Sequence, residues 1–336
     1  MVTTELRTDP ITGRVVVVDD GEFRRRDDFD LGPVRLDDPP AACPFCEGRE
    51  ALAGPEILSW RDSGAANAPG WSVRVVANRH PVLRIEANMD ARADGLWESR
   101  DGLGAHEVVI ETPLHHQSLQ ALEVDRLWRV FWAWRTRLQD LKRDRRFVSA
   151  VVFKNVGRPA GARLDHAHSQ VVALSVTPPV LADELRGAAR YTERTTRCIF
   201  CDLIAQEVRE DRRVICGDGS LLAIAPYASR VPFETWLLPR DHAPRFEDAS
   251  DATLEDLART FKTVMSRIDW ALEHPAFNLV LHTAPLAGDA DASYHWHLEI
   301  LPRVTRYGGL EWASGVHRNP VSPEEACRVL RATLVP

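Results

Sequence analysis

Two long segments of the chain place apolar residues at alternating steps of three and four. The first set is Leu127, Phe131, Trp134, Leu138 and Leu141, and the second is Leu254, Leu257, Phe261, Val264 and Ile268. This spacing keeps the apolar side chains on one side of a helix with 3.6 residues per turn. The pattern therefore predicts two long amphipathic helices, each of which buries one face.

Shorter apolar runs surround each of these helices. Four belong to the first half of the chain and four to the second, at 72–77, 106–111, 148–154, 170–174, 221–226, 233–238, 277–281 and 297–301. Runs of this length that are rich in Val, Ile and Leu predict strands. Strands that arrive as chain neighbours around one long helix favour an α+β fold, with mostly antiparallel sheets and the helix on one face.

Two short motifs occur twice along the chain. Cys43-x-x-Cys46 recurs as Cys198-x-x-Cys201, and His166-x-His168 recurs as His295-x-His297. The helices begin their apolar patterns 127 residues apart, and the His-x-His motifs lie 129 residues apart. Matching offsets predict a tandem duplication, which we divide at 1–185 and 186–336. The cysteine pairs are 155 residues apart, so we expect an inserted Gly-, Pro- and Ala-rich loop at 51–70 of the first copy.

Composition narrows the class of protein. A chain of 336 residues, with 44% apolar and 27% charged residues, is typical of a globular protein with two domains or one duplicated fold. Its net charge of −7 argues against a surface that binds nucleic acid. The sequence has no run of 18 apolar residues, and its start does not resemble a signal peptide. We therefore expect a cytoplasmic protein that binds neither membranes nor nucleic acid.

Each copy combines two cysteines with two histidines at matching positions. The sets are Cys43, Cys46, His115 and His166, and Cys198, Cys201, His242 and His295. A Cys-x-x-Cys pair alone is compatible with a redox dithiol, a metal site or two buried cysteines. Two additional histidines favour tetrahedral Zn²⁺, and a closed set of four ligands predicts a structural role at both sites. His116, next to His115, is an alternative ligand.

A glycine-containing loop leads directly into a His-x-His-x-Gln motif. Gly157 and Gly161 belong to this loop, and the backbone amides of such a loop can bind phosphate. Residues two apart on a strand face the same way, so a metal at His166 would hold the strand that presents His168. A neutral imidazole can attack phosphorus, and Gln170 can donate to a phosphoryl oxygen. The residue types of a His-x-His alone favour metal binding or simple burial over a nucleophile. With the glycine loop and Gln170, the sequence is equally compatible with a nucleophile.

These motifs together resemble a known family. The similarity is to the galactose-1-phosphate uridylyltransferase branch of the histidine-triad superfamily, and it is carried by Cys43-x-x-Cys46, His115, 155–170, 232–235 and His295-x-His297, with 9–13 similar to that family's N-terminus. The second cysteine pair and the segment 309–326 resemble a two-zinc subgroup that includes the plant ADP-glucose phosphorylase.

The resemblance implies two fused histidine-triad folds in a homodimer. It implies a ping-pong reaction in which His168 takes a nucleoside monophosphate from a nucleotide sugar, as a covalent nucleotidyl-histidine. The group is then passed to a sugar 1-phosphate or to phosphate. Gln170 would favour transfer over hydrolysis. In the second copy Glu299 replaces this glutamine, so we expect that copy to be non-catalytic, with a role in zinc binding and in the sugar loop or the dimer.

Further residues acquire expected roles from the same resemblance. The residues implied to lie near the nucleotide or its phosphates are Asn78, Asn155, Gly157, Gly161 and Arg163. Arg163 replaces the small hydroxyl residue that is usual in the family, and a permanent cation there would favour a highly charged acceptor. His317 and Arg318 lie in the segment that is implied to bind the sugar.

Three hypotheses about function follow. The favoured one is a nucleotidyltransferase for a nucleotide sugar and a sugar 1-phosphate. The second is a phosphorylase or hydrolase of ADP-glucose or of dinucleoside polyphosphates on the same fold. The third is a zinc-stabilised nucleotide-binding protein without catalysis. The sequence specifies neither the nucleobase nor the sugar.

Overall fold

One large antiparallel sheet organises the protein, whose computed structural model describes residues 3–20, 43–290 and 292–335. The strands are β1 (Thr3–Thr8), β2 (Val15–Asp20), β3 (Glu56–Arg61), β4 (Trp71–Ala77), β5 (Ala91–Asp94), β6 (Trp97–Arg100), β7 (Gly104–Ile110), β8 (Ser149–Val156), β9 (His168–Leu174), β10 (Val214–Asp218), β11 (Leu221–Ile224), β12 (Thr235–Pro239), β13 (Phe277–His282), β14 (His297–Pro302) and β15 (His317–Asn319). The helices are α1 (Glu50–Ala53), α2 (Val124–Leu141), α3 (Pro179–Thr195), α4 (Ile199–Glu210), α5 (Asp251–Ala271), α6 (Gly309–Ser314) and α7 (Pro323–Ala332).

The large sheet consists of two halves with the same strand order. From the centre outward, the first half runs β8, β9, β7, β4, β3, and the second runs β13, β14, β12, β11, β10. The halves join where β8 pairs with β13, with Val156 opposite Phe277 and Val152 opposite Leu281. The predicted α+β tandem duplication with a mostly antiparallel sheet is confirmed. The motifs did not reveal that both copies share one sheet, because they carry no information about which strand edges meet.

Both predicted long helices, α2 and α5, pack side by side on one face of this sheet. Their apolar stripes are buried, and the rings of Phe131 and Phe261 meet edge to face with centroids 5.6 Å apart. Burial of each large apolar side chain contributes about 1.5–3 kcal/mol. On the opposite face, α3 and α4 pack against the second half of the sheet, and the cavity described below lies on the first half.

The segment 51–70 is more than the inserted loop that its composition predicts. It contains the end of α1 and the whole of β3, which pairs with β4 and forms the outer edge of the first half. Trp60 on β3 packs edge to face against Trp128 and Trp132 of α2, with centroids 5.3 and 4.9 Å apart. The glycine, proline and alanine residues around β3 conceal this short strand, so the prediction of a simple loop is wrong.

Several further elements have no counterpart in the sequence predictions. The N-terminal hairpin β1–β2 forms a small sheet with β15, which runs parallel to β2.

Helix α3 spans residue 185, so the predicted division at 185/186 falls inside a continuous helix. That division remains a prediction. Within the described residues, no helix is long and apolar enough to cross a membrane.

Helix α3 packs closely against the N-terminal segment at Gly187. A Cβ atom at Gly187 would lie 1.6 Å from the carbonyl oxygen of Ile11. That oxygen belongs to a turn fixed by Asp9, whose Oδ1 accepts from the backbone amides of Ile11 and Thr12 at 3.0 and 2.7 Å. Neither partner is the end of a flexible side chain, so neither can move without displacing a backbone segment.

We expect Gly187→Ala to lower the free energy of unfolding by about 2 kcal/mol, the usual scale for overpacking a buried contact. Thermal and urea denaturation would measure the change. Gly309→Ala is the matched control, because a Cβ at that exposed helical position meets no atom within 4 Å. Equal stabilities of the two variants would contradict the close approach.

Candidate active site

The side chains of β9 alternate between two faces of the sheet, one packed against the helices and one facing a cavity. Trp134 of α2 donates from Nε1 to Ser169 Oγ at 2.8 Å, and Val171 packs in the core beneath the same helix. His168 and Gln170 point to the opposite side, where both line the cavity. His168 and Gln170 thus share one face as expected, whereas His166 precedes β9 and does not line the cavity.

The cavity has a volume of about 790 Å³, within the range that holds a small-molecule ligand. Four of the predicted nucleotide-binding residues line it together with His168 and Gln170: Asn78, Asn155, Gly161 and Arg163. One wall is apolar and includes Val108, Phe153 and Val172. The arrangement offers a polar end for phosphates and an apolar surface for a ring.

The glycine loop turns sharply at both of its glycines. Gly157 and Gly161 have φ angles of 79° and 84°, in the left-handed region that favours glycine. Gly157 itself does not line the cavity; its carbonyl oxygen accepts from the backbone amide of Ala160 at 3.1 Å and closes the turn. Asn278 of the second copy supports the loop, because its Nδ2 donates to Asn155 Oδ1 at 2.7 Å and to the Ala160 carbonyl at 2.9 Å.

The imidazole of His168 has a defined tautomer. Its Nδ1 lies 2.7 Å from the main-chain oxygen of His166. Because a carbonyl oxygen only accepts, Nδ1 carries the proton and Nε2 keeps a free lone pair. Burial lowers the pKa of His168 to about 4, and the charge of Lys154 acts in the same direction. The ring is therefore neutral at pH 7 and has the electronic form of a nucleophile.

A buried ion pair lies directly behind this histidine. Lys154 Nζ is 2.7 Å from Glu111 Oε2 and donates to the main-chain oxygen of His168 at 3.0 Å. Both side chains are almost fully shielded from solvent. The carbonyl groups of His166 and His168 are thus both engaged, one by the imidazole and one by the lysine.

The first predicted metal-ligand set is assembled next to His168. His166 Nδ1 lies 3.6 Å from Cys43 Sγ and 3.7 Å from Cys46 Sγ, and His115 Nδ1 lies 3.5 Å from Cys46 Sγ. His166 donates from Nε2 to the Thr112 carbonyl at 2.7 Å, which leaves its Nδ1 lone pair directed at the sulfurs. The alternative ligand His116 is exposed, outside this group of four.

The second predicted set is assembled in the same way. Cys201 Sγ lies 3.4 Å from His242 Nδ1 and 3.9 Å from His295 Nδ1. His295 donates from Nε2 to the Pro239 carbonyl at 2.9 Å. With Cys198, this group also brings four candidate ligand atoms within 4.8 Å of one another. The two copies therefore carry equivalent candidate metal sites.

The second copy differs at the position equivalent to His168. His297 is fully buried, and its ring stacks on those of His282 and Trp236, with centroids 4.6 and 4.9 Å away. Glu299, which replaces glutamine, forms ion pairs with Arg230 and with His282. A histidine covered on both faces is poorly placed to reach a substrate.

Sequence reasoning missed a third polar group in this region. Glu184, His282 and His297 also bring candidate ligand atoms within 4.8 Å of one another. Burial disfavours the charged form of His282, but the carboxylates of Glu184 and Glu299 outweigh it and raise the pKa of His282 to about 10. Glu184 and His282 stand alone in the sequence without a motif, so only the fold reveals their contact.

His317 and Arg318, the expected sugar-binding residues, do not line the cavity of His168. They belong to β15 in the small N-terminal sheet. Arg318 pairs with Asp19 at 2.8 Å, and the ring of His317 lies 5.1 Å from that of Tyr307. The structure of a single chain therefore does not bring them together with the other candidate site residues.

Comparison with protein families matches both halves of the chain to one family. Residues 61–178 match the model of the N-terminal domain of galactose-1-phosphate uridyl transferase, and residues 184–310 match the model of its C-terminal domain. The chain belongs to this family. The resemblance predicted from the motifs is confirmed.

Individual relatives align along nearly the whole chain. An ADP-glucose phosphorylase from Arabidopsis thaliana is 33% identical over 332 residues, covering 97% of this chain and 92% of the relative. A galactose-1-phosphate uridylyltransferase from Thermotoga maritima is 25% identical over 340 residues, covering 98% and 99%. A crystal structure of an ADP-glucose phosphorylase from Arabidopsis thaliana with bound ADP-glucose superposes with a TM-score of 0.83 at 31% identity, covering 99% of this chain and 100% of that one. The prediction of an enzyme of the nucleotidyltransferase class is confirmed.

The buried ion pair of Lys154 and Glu111 behind His168 can be tested by substitution. We expect Lys154→Met to destabilise the protein by about 3–5 kcal/mol, because it leaves the Glu111 carboxylate buried without a cation. Lys154→Met combined with Glu111→Leu removes both charges and should recover most of the loss. Urea denaturation of the three proteins measures this. A double variant no more stable than Lys154→Met would show that the carboxylate is not the source of the destabilisation.

Proposed function

We propose that this enzyme transfers a nucleoside monophosphate from a nucleotide sugar to a phosphate-bearing acceptor, through a covalent bond to His168. The hydrogen bond from His168 Nδ1 to the His166 carbonyl carries the proposal. It leaves Nε2 unprotonated in a cavity large enough for a nucleotide. Membership in a family of nucleotidyltransferases supports the same reaction.

The proposed reaction has two displacements at one phosphorus. In the first, the lone pair on His168 Nε2 attacks the α-phosphorus, the bond from that phosphorus to the bridging oxygen breaks, and sugar 1-phosphate leaves. The proton stays on Nδ1, and its hydrogen bond to the His166 carbonyl stabilises the positive charge of the nucleotidyl-imidazolium. In the second displacement, a phosphate oxygen of the acceptor attacks the same phosphorus, and the N–P electron pair returns to Nε2.

Groups around the cavity can stabilise the charge that develops during these steps. We assign Gln170 the role of donating its amide to a nonbridging phosphoryl oxygen. Arg163 supplies a permanent cation at the cavity, and Asn78, Asn155 and Gly161 complete the polar end. A guanidinium at this position favours an acceptor with more negative charge.

We favour ADP-glucose as the donor and inorganic phosphate as the acceptor. The support is the 33% identity to an ADP-glucose phosphorylase along almost the whole chain, against 25% to a galactose-1-phosphate uridylyltransferase. The second candidate is a uridylyltransferase that passes UMP from UDP-glucose to galactose 1-phosphate, which the family supports.

We infer that Zn²⁺ occupies both Cys₂His₂ sets. Bonds of about 2.3 Å to sulfur and 2.0 Å to nitrogen at tetrahedral angles separate the sulfur and nitrogen atoms by about 3.5 Å. The corresponding distances here are 3.5, 3.6 and 3.7 Å in the first set, and 3.4 and 3.9 Å in the second. When bound, the ion clips the cysteine loop to the histidine strand and supplies no step of the reaction.

The two copies have unequal roles in this proposal. The first, 1–185, carries His168, and the second, 186–336, supports the loop through Asn278 and holds the second metal. We further propose a homodimer, supported by the strongly exposed apolar side chains of Leu96, Trp97 and Trp312. Light scattering at several protein concentrations measures the assembly state.

Intact-mass spectrometry tests the covalent step. We expect the wild-type protein incubated with ADP-glucose to gain the mass of AMP less one water, and His168→Ala to gain nothing. His116→Ala, which removes the exposed histidine next to His115, should be labelled like the wild type. An adduct on His168→Ala, or none on the wild type with ADP-glucose or UDP-glucose, would overturn the proposed function. Release of the adduct by inorganic phosphate or by galactose 1-phosphate separates the two candidate acceptors.

Metal analysis tests the structural sites. We expect two equivalents of zinc per chain in the wild type and one each in Cys46→Ser and Cys201→Ser, by elemental analysis. Cys46→Ser should also slow nucleotidylation about tenfold or more, since His166 then loses the ion that orients its strand. Cys216→Ser serves as the control and should keep both ions. Full zinc content in either ligand variant would contradict the assignment.

A further inference from the structure

His106 on β7 is a buried histidine that neither the metal sites nor the reaction above employs. Its strand pairs with β9, where Val108 lies opposite Gln170 and His106 lies opposite Val172. The side chain of His106 lines the cavity beside Gln170. It thus contacts a residue that we assign to the reaction without itself having a place in the two displacements.

The hydrogen bonds of His106 define which ring nitrogen carries the proton. The backbone N–H of Val82 donates to His106 Nδ1 at 3.1 Å. A backbone amide can only donate, so Nδ1 must be the acceptor and the neutral ring carries its proton on Nε2. The Nε2 atom lies 2.8 Å from Gln170 Oε1, which makes this contact a donation from His106 to the glutamine oxygen.

Asn78 acts on the same oxygen. Its Oδ1 accepts from the backbone N–H of His80 at 2.9 Å, which directs its Nδ2 toward Gln170 Oε1 at 3.4 Å. This Nδ2 also lies 3.0 Å from His106 Nε2. If Nε2 instead accepted a hydrogen bond from Asn78, the ring proton would lie on Nδ1 and face the backbone N–H of Val82. Two donors would then oppose each other, and the backbone N–H cannot rotate away.

The consequence for Gln170 is a fixed amide orientation. Its Oε1 is held by His106 and Asn78, and its Nε2 hydrogen-bonds to none of the described residues. Both N–H groups of that Nε2 are therefore free for a ligand in the cavity. The reversed amide would place a carbonyl oxygen toward a phosphoryl oxygen and repel the charge that forms there.

We propose that His106 is a positioning residue that presents the Gln170 amide to the phosphoryl group by donating from Nε2 to Gln170 Oε1. The proposal rests on the proposed function, because it assigns His106 to the same phosphoryl transfer. His106 contacts neither the reacting atoms nor the metal ligands. Its effect on catalysis therefore passes through Gln170.

Three substitutions separate donation from simple packing. His106→Gln keeps an amide donor near the Nε2 position, His106→Asn moves it near the Nδ1 position, and His106→Phe removes both nitrogens from a ring of similar size. In single-turnover labelling with ADP-glucose, we expect His106→Asn and His106→Phe to slow the formation of nucleotidyl-His168 about fivefold to tenfold. Loss of one neutral hydrogen bond corresponds to a factor of this size. The Gln variant should stay within twofold of the wild type, and the half-saturating donor concentration should change little in all three.

A double-mutant cycle tests whether the effect passes through Gln170. In a Gln170→Ala background we expect His106→Phe to change the labelling rate by less than twofold. The positioning role would be overturned if His106→Phe slowed labelling as much in the Gln170→Ala background as in the wild type. It would also be overturned if His106→Gln were as slow as His106→Phe, since packing alone would then explain the effect.

A measurement that needs no turnover distinguishes this proposal from the proposed function. Long-range proton–nitrogen NMR correlation on ¹⁵N-histidine-labelled protein, with His106→Gln for assignment, reports the protonated ring nitrogen. We expect the Nε2–H tautomer at His106, and an Nδ1–H tautomer would overturn the inference whatever the enzyme's substrate. Conversely, an Nε2–H tautomer in a protein that forms no adduct with ADP-glucose or UDP-glucose would refute the proposed function and leave the hydrogen-bond assignment intact.

Discussion

The hydrogen bond between His168 Nδ1 and the His166 carbonyl is the constraint on which the site depends. It fixes the tautomer and the direction of the ring, and it requires a rigid backbone from His166 to His168, where β9 begins. The candidate metal set holds His166 from one side, and Lys154 holds the His168 carbonyl from the other. A flexible loop in the same place would present both tautomers and pay entropy for each productive orientation.

Much of this arrangement is encoded locally and was therefore predictable. The long helices follow from steps of three and four, and His168 and Gln170 share a face because strand side chains alternate. The ligand sets were predictable because each combines a Cys-x-x-Cys pair with histidines at repeated offsets. These features depend on spacing within a segment, which the sequence displays directly.

What could not be predicted depends on contacts between distant segments. His106 and Gln170 are separated by 64 residues and meet only through the register of β7 against β9. Lys154 and Glu111 would each read as ordinary charged residues, and nothing near them signals that both are buried. Strand β3 was missed because one short edge strand among glycines, prolines and alanines lacks a distinctive pattern. The residues that orient the reacting groups are thus harder to find than the reacting groups themselves.

The shared sheet makes the first copy dependent on the second. Strand β8 is the innermost strand of the first copy, at the centre of the sheet. Its edge that faces away from β9 pairs with β13 of the second copy. A solitary first copy would present that edge to solvent as a template for uncontrolled strand pairing. It would also lack Asn278, which supports the glycine loop from across the junction. Removal of the second copy would expose a strand edge and withdraw this support, so we do not expect the first copy to work as a separate protein.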